Sequence, residues 1–166
     1  VGPWPTVALA VDVSFLPLLA LAIGRPIFTA RRTRNYGFPL LLLTMAAANL
    51  AWHLGWQVDR ARVVSLDVVV LIMVIVGGRI VPMFTDNAVP AATPTRTLWA
   101  ERATNPALIA LLVADALLPV AAPVLALAAG AVVAARMSRW GGHRSLRAPI
   151  VWVLHAGYAW IALGLL

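Results

Sequence analysis

The coordinating chemistry open to this chain rests on three histidines, since it contains no cysteine. His155 lies in the run Trp152-Val153-Leu154-His155-Ala156-Gly157-Tyr158, within a strongly apolar stretch. Trp152, His155 and Tyr158 recur every third residue and share a stripe if that stretch is helical. A neutral imidazole in such surroundings is a good ligand for haem iron or copper, and the small Ala156 and Gly157 leave room for a flat group. The competing role is helix packing, with the ring hydrogen-bonded across an interface. His53 closes the run Asn49-Leu50-Ala51-Trp52-His53. Asn49 is four residues earlier on the same helical face and could orient the ring, as groups behind a metal ligand do; a bonded structural histidine is the equal alternative. His143 follows Gly141-Gly142 among arginines and is expected to face solvent.

Further polar groups lie where a bilayer tolerates them poorly. Asp12, Asp67 and Asp115 fall inside apolar runs, where a charge costs about 2.5–3.5 kcal/mol on insertion scales. With His53 they could line a polar pocket at one depth, a metal or proton site; alternatively each is solvated or bonded at the interface. Met45, Met73 and Met83 are soft donors by type, though packing is the ordinary role of methionine in an apolar helix. Arg79 has the planar fork that suits a carboxylate such as a haem propionate, and could equally set topology. No glycine-rich phosphate loop, paired carboxylates or Ser/His/Asp set is present. A site must therefore be assembled from separate helices.

Those helices are dictated by composition. Of 166 residues, 62% are hydrophobic and 11% charged, against roughly 25% charged in a soluble domain. The chain is expected to be an all-α, polytopic transmembrane bundle forming a single domain over 1–166. Its net charge of +7 comes from 13 arginines. They sit in short connections between apolar runs, so they report topology rather than nucleic acid, and the lipid bilayer is the expected partner.

Five apolar runs stand out, at about 5–24, 38–56, 63–81, 106–136 and 148–166. The fourth would be about 46 Å long as one helix and contains Pro119 and Pro123. Dividing it at Pro119 makes six spans. It also places eleven arginines on one side and only Arg60 and Arg62 on the other. Undivided, the count is seven against six. The divided form fits the positive-inside rule, with the arginine-rich connections cytoplasmic and Val1 outside. The segment 106–118 is short for a span, so its helix must begin near Leu98, or 98–104 must form an interfacial helix with Asn105-Pro106 as a new start. No signal peptide is expected before the first run. The missing initiator methionine and the apolar last residue suggest a piece of a longer protein.

The most distinctive segment is Gly77-Gly78-Arg79-Ile80-Val81-Pro82-Met83-Phe84-Thr85-Asp86-Asn87-Ala88-Val89. It is expected to end the third span with a specified structure at the membrane surface. Together with Trp152-Val153-Leu154-His155-Ala156-Gly157-Tyr158-Ala159-Trp160, and with Leu16-Pro17-Leu18 followed by Arg25-Pro26, it resembles the NnrS family of bacterial membrane proteins across essentially all of the chain. The resemblance implies about twelve spans in a complete protein of the bacterial inner membrane. It implies haem, with copper beside it, and a role in the response to nitric oxide and related nitrosative stress, without deciding whether there is catalysis. The implied partners are nitric oxide or an electron donor and the remaining helices of the full protein. His155 is the first residue it marks, with Arg79 and Asn87, and His53 less strongly; Tyr158 would line the cofactor beside His155. The family's histidine-rich N-terminal stretch and its later arginine- and histidine-containing block are absent here, and those could supply partner ligands. The alternative function is a proton- or ion-coupled transporter using the aspartates.

Overall fold

The structure is a computed structural model and describes residues 4–89 and 92–166. Among them are six α-helices, short 3-10 turns and no strand. They fall into two compact units, Val1–Val68 and Val69–Leu166.

In the first unit, α1 (Trp4–Thr29) packs along α2 (Gly37–His53) through a 3-10 turn at Thr33–Asn35. Gly24 sets how near the two helices come. A Cβ there would lie 3.4 Å from Pro39 Cγ and 3.3 Å from Phe28 Cε2, tight enough that a neighbour would have to yield. Much of the rest of α1 is bare. Val7, Val11, Phe15 and Leu18 are exposed at helical spacing, an apolar stripe that suits lipid rather than water.

The third helix, α3 (Val58–Ala88), is longer than the expected span at 63–81. Its 31 residues measure about 46 Å. It does not end around Gly77-Gly78 and Pro82, as expected, but continues through them to Ala88, so the segment 77–88 is helix. Two adjacent glycines inside a helix cost about 1 kcal/mol each relative to alanine; packing in the second unit explains them.

The second unit contains α4 (Leu98–Leu117), α5 (Ala122–Met137), α6 (Pro149–Leu165) and the C-terminal part of α3. The long run 106–136 is two helices, as its prolines and the arginine count predict. The Leu118 N–H bonds to Ala114 O at 2.7 Å and that of Ala121 to Leu118 O at 2.9 Å, which turns the chain before Pro123 opens α5. The helix before that turn does begin at Leu98. It runs unbroken through Pro106, so Asn105-Pro106 does not start a new helix and 98–104 is not a separate interfacial one. α5 lies between α4 and α6, with Leu111, Ala114 and Ala122 forming a buried cluster against Leu165. At Gly130 an added Cβ would lie 3.1 Å from the Ala162 carbonyl oxygen, so α5 and α6 meet almost backbone to backbone.

Among the described residues two stretches, Thr6–Thr29 and Val58–Ala88, are long and apolar enough to cross a membrane. Ala122–Met137 and Pro149–Leu165 are apolar but shorter.

Candidate functional site

The inner face of α3 in the second unit is built from Leu71, Val74, Gly78, Val81 and Thr85, spaced alternately three and four apart and all buried. Such spacing keeps one seam of a helix turned to its neighbours. Opposite Gly78 lies Arg136, from the last turn of α5. A Cβ on Gly78 would fall on the guanidinium itself, and one on Gly77 would come within 2.9 Å of Tyr158 Cδ2. The glycine pair is thus a seat for two side chains from other helices.

Arg136 is almost fully buried, its side chain 7% exposed. Its Nη2 donates to Glu101 Oε2 at 2.7 Å, and its Nη1 donates to the Val74 carbonyl and to Tyr158 Oη, each at 3.3 Å. Glu101 stands in the first turn of α4, where a helix favours negative charge. Trp140 is wholly buried. Its ring lies 4.7 Å from that of Tyr158 and 6.4 Å from that of His155, with Arg136 Cζ 5.8 Å from its centroid.

His155 completes the cluster. Its Nε2 lies 2.9 Å from Thr85 Oγ1, and the same hydroxyl donates to Val81 O at 2.8 Å. A threonine hydroxyl has one proton. If that proton goes to Val81 O, Nε2 must be the protonated ring nitrogen and donate to Oγ1. The opposite tautomer would give up the Val81 bond and bury an unpaired N–H. Satisfying the most bonds therefore leaves Nδ1 with its lone pair free. Nδ1 is buried with no hydrogen-bond partner, and Gly142 faces it: a Cβ at 142 would stand 3.0 Å from Nδ1. Glycine at 142 lets the connection lie close against that side of the ring.

The first unit holds a smaller polar group. Asp12 Oδ2 accepts from Asn49 Nδ2 at 2.9 Å and lies 2.7 Å from His53 Nε2. Asn49 and His53 share a face as expected, yet Asn49 does not orient the ring; both converge on the carboxylate of α1. That carboxylate is half-exposed, at 56%.

Of the residues marked by sequence, His155 and Tyr158 come together, both turned inward on α6. Trp152 does not join them: it is exposed and borders a groove. Arg79 is half-buried, one residue past Gly78 and so about 100° around α3 from the seat of Arg136. His53 belongs to the first unit. His143 is exposed as expected, and lines the same groove as His155. Sequence reasoning missed Arg136, Glu101, Thr85 and Trp140. Arg136 had been counted among the loop arginines that set topology. The one available signal was Gly77-Gly78, since a glycine pair in an apolar helix implies something bulky seated on it. Among the described residues no three His, Asp or Glu side chains gather closely enough to hold a metal ion by themselves.

Compared with known proteins, the chain matches one family along its whole length: the model described as NnrS protein covers residues 1–166. No curated protein matches it, and no solved structure does.

Proposed function

The chain belongs to the NnrS family, and on that premise we propose that it is a haem-binding membrane protein of the nitric oxide response, with copper as a further metal and His155 as the principal ligand. One observation carries the assignment to His155: Nδ1 is buried without a partner beside Gly142, while Nε2 is held by Thr85. A ligating histidine commonly has its other nitrogen fixed in this way, which sets tautomer and ring orientation. The donor set favours haem over a bare ion at this position. A bare transition metal needs about three or four protein ligands, and no such cluster exists among the described residues. Haem iron carries its own ring nitrogens and takes only axial ligands from protein.

Bound haem or copper would supply binding and one-electron chemistry toward nitric oxide or a related species. The chain's own part is to hold the imidazole in one tautomer and to keep the site dry. Thr85 does the first, and the packed rings of Trp140 and Tyr158 contribute to the second. Tyr158 acts by bracing Arg136. Arg79 is the residue whose planar fork would suit a propionate. In the first unit His53, whose Nε2 is held by Asp12, is a separate imidazole that would serve as a carboxylate-supported ligand.

The same reading takes all six helices as spans of a bacterial inner membrane, with the arginine-rich connections cytoplasmic. Support comes from the division of arginines, eleven against two. A periplasmically active reporter fused after Arg62 should be active, and the same reporter fused after Arg34 silent.

Purification of the complete protein, followed by absorption spectroscopy and metal analysis, tests the cofactor. A Soret band with near-stoichiometric iron is expected. It should fall at least tenfold in His155→Ala and become broadened or weakened in Thr85→Val, where the ring loses its anchor. A wild-type protein without a Soret band, iron or copper would overturn the proposal.

A further inference from the structure

Two grooves meet on the outer flank of α6. The first, of about 420 Å³, reaches Ser138, His143 and Leu146 of the α5–α6 connection. The second, of about 860 Å³, runs over Val153, Gly157, Trp160 and Gly164 beside Met73 of α3. Both include Trp152 and Ala156, so they form one continuous track from the connection down the length of the helix.

The two ends of that track differ in chemistry. At the connection, each of the wall residues Ser138, His143 and Leu146 is followed directly by an exposed arginine: Arg139, Arg144 and Arg147. No Asp or Glu occurs after Asp115 in the chain, so the connection itself contributes arginines and no acidic residue. Arg136, the other arginine of the stretch, is turned inward to Glu101. The far end is apolar and shallow. An added Cβ at Gly157 or Gly164 would meet nothing within 4 Å, and the exposed rings of Trp152 and Trp160 flank that floor. From Trp152 to Leu165 α6 rises about 20 Å, enough to follow an acyl chain across one leaflet of about 15 Å.

We propose that this track binds an anionic phospholipid of the surrounding bilayer, its phosphate against Arg139, Arg144 and Arg147 and one acyl chain along α6 between Trp152 and Trp160. Clustered arginines at a membrane surface attract anionic headgroups, and tryptophan favours the headgroup boundary where the polar and apolar parts of the track join. The site makes no use of the ring nitrogens of His155, one buried and the other bonded to Thr85. His155 also lines the first groove, so the lipid and any group held by that ring share its wall.

The test uses the complete protein in nanodiscs of phosphatidylcholine with a minor fraction of phosphatidylglycerol, one or other lipid carrying brominated acyl chains. The readout is quenching of the fluorescence that is lost in the Trp152→Phe/Trp160→Phe variant. Brominated phosphatidylglycerol is expected to quench that component at least threefold more effectively, mole for mole, than brominated phosphatidylcholine. The combined R139Q/R144Q/R147Q variant should remove the preference, and 10 mM glycerol phosphate should leave it in place. Gly157→Leu with Gly164→Leu, which alters only the apolar floor, should reduce quenching by both lipids and so tests the site even if the arginine variant does not fold. Equal quenching by the two lipids in the wild type would overturn the proposal. So would loss of the preference to glycerol phosphate, which would mean a headgroup-only anion site. Absence of quenching by either lipid would mean that another helix or a second copy covers the groove, and would also overturn it.

Discussion

Glu101→Leu is expected to destabilise the second unit by about 3–5 kcal/mol, because it leaves the Arg136 guanidinium buried without a counter-charge. Arg136 is 7% exposed and its shortest bond is the one to Glu101. The remaining acceptors, Val74 O and Tyr158 Oη, are both at 3.3 Å and neither carries charge. Arg136→Met should be damaging in its own way, since it strands the Glu101 carboxylate. The double variant Arg136→Met/Glu101→Leu is expected to recover most of the loss, because an apolar pair of similar volume avoids the desolvation of both ions. Thermal unfolding of the purified protein in detergent, followed by size-exclusion recovery, checks all three. Additive damage in the double variant would show that the pair is not coupled in the way its geometry implies.

Gly78→Ala is the second large effect. Alanine in a helix interior is worth about 1 kcal/mol over glycine, so a bare helix would gain from this change. Here the new methyl would occupy the place of the Arg136 guanidinium. That group is the end of a flexible side chain, but Glu101, Tyr158 and the Val74 carbonyl pin it. Displacing it means breaking those bonds, and a net loss of about 2–4 kcal/mol is expected from exposing a buried pair to misalignment. The sign should reverse in the Arg136→Met/Glu101→Leu background, provided Met packs beside the new methyl. Gly78→Ala then becomes neutral or stabilising, and that reversal separates a seat for Arg136 from a general intolerance of bulk on α3. Gly77→Ala should behave similarly with Tyr158 as the neighbour, although the aromatic ring has less freedom to withdraw.

Both predictions fall on residues whose partners are distant along the chain. Glu101 and Arg136 are 35 positions apart and Val74 and Arg136 62, and in the same cluster Thr85 and His155 are 70 apart. This separation explains why the cluster was only half legible beforehand. His155 and Tyr158 could be singled out because polar groups in an apolar helix are costly and so require a partner. Thr85 was invisible as a partner because a threonine in a helix can satisfy its hydroxyl on the carbonyl one turn back, as it also does here with Val81. Arg136 looked like one more topological charge because it stands at the very end of α5. An arginine in that position can extend to the headgroups or fold back inward, and nothing local decides between them.

The limits of α3 were misread for a related reason. Gly77, Gly78 and Pro82 are each unfavourable in a helix interior, and together they look like an end. The helix persists through them because burial of Val74, Val81 and Thr85 on one seam offsets the local cost. The position of the α4–α5 turn could be read correctly, by contrast, since two prolines four apart act on their own backbone and the arginine count made an independent demand.

The sequence by itself determined that this is an all-helical chain rich in apolar surface, where the long apolar run divides, and which family it belongs to. These follow from composition, local backbone chemistry and short contiguous blocks, all of which act between near neighbours. The tertiary structure alone decided that the glycine pair is a seat for Arg136 and Tyr158, that Asp12 and not Asn49 holds His53, and that His155 keeps one nitrogen on Thr85 and the other free beside Gly142. Each of those outcomes depends on which side chains are brought together from separate helices, and a buried polar group is settled by the partner it finds in space rather than by its neighbours in the chain.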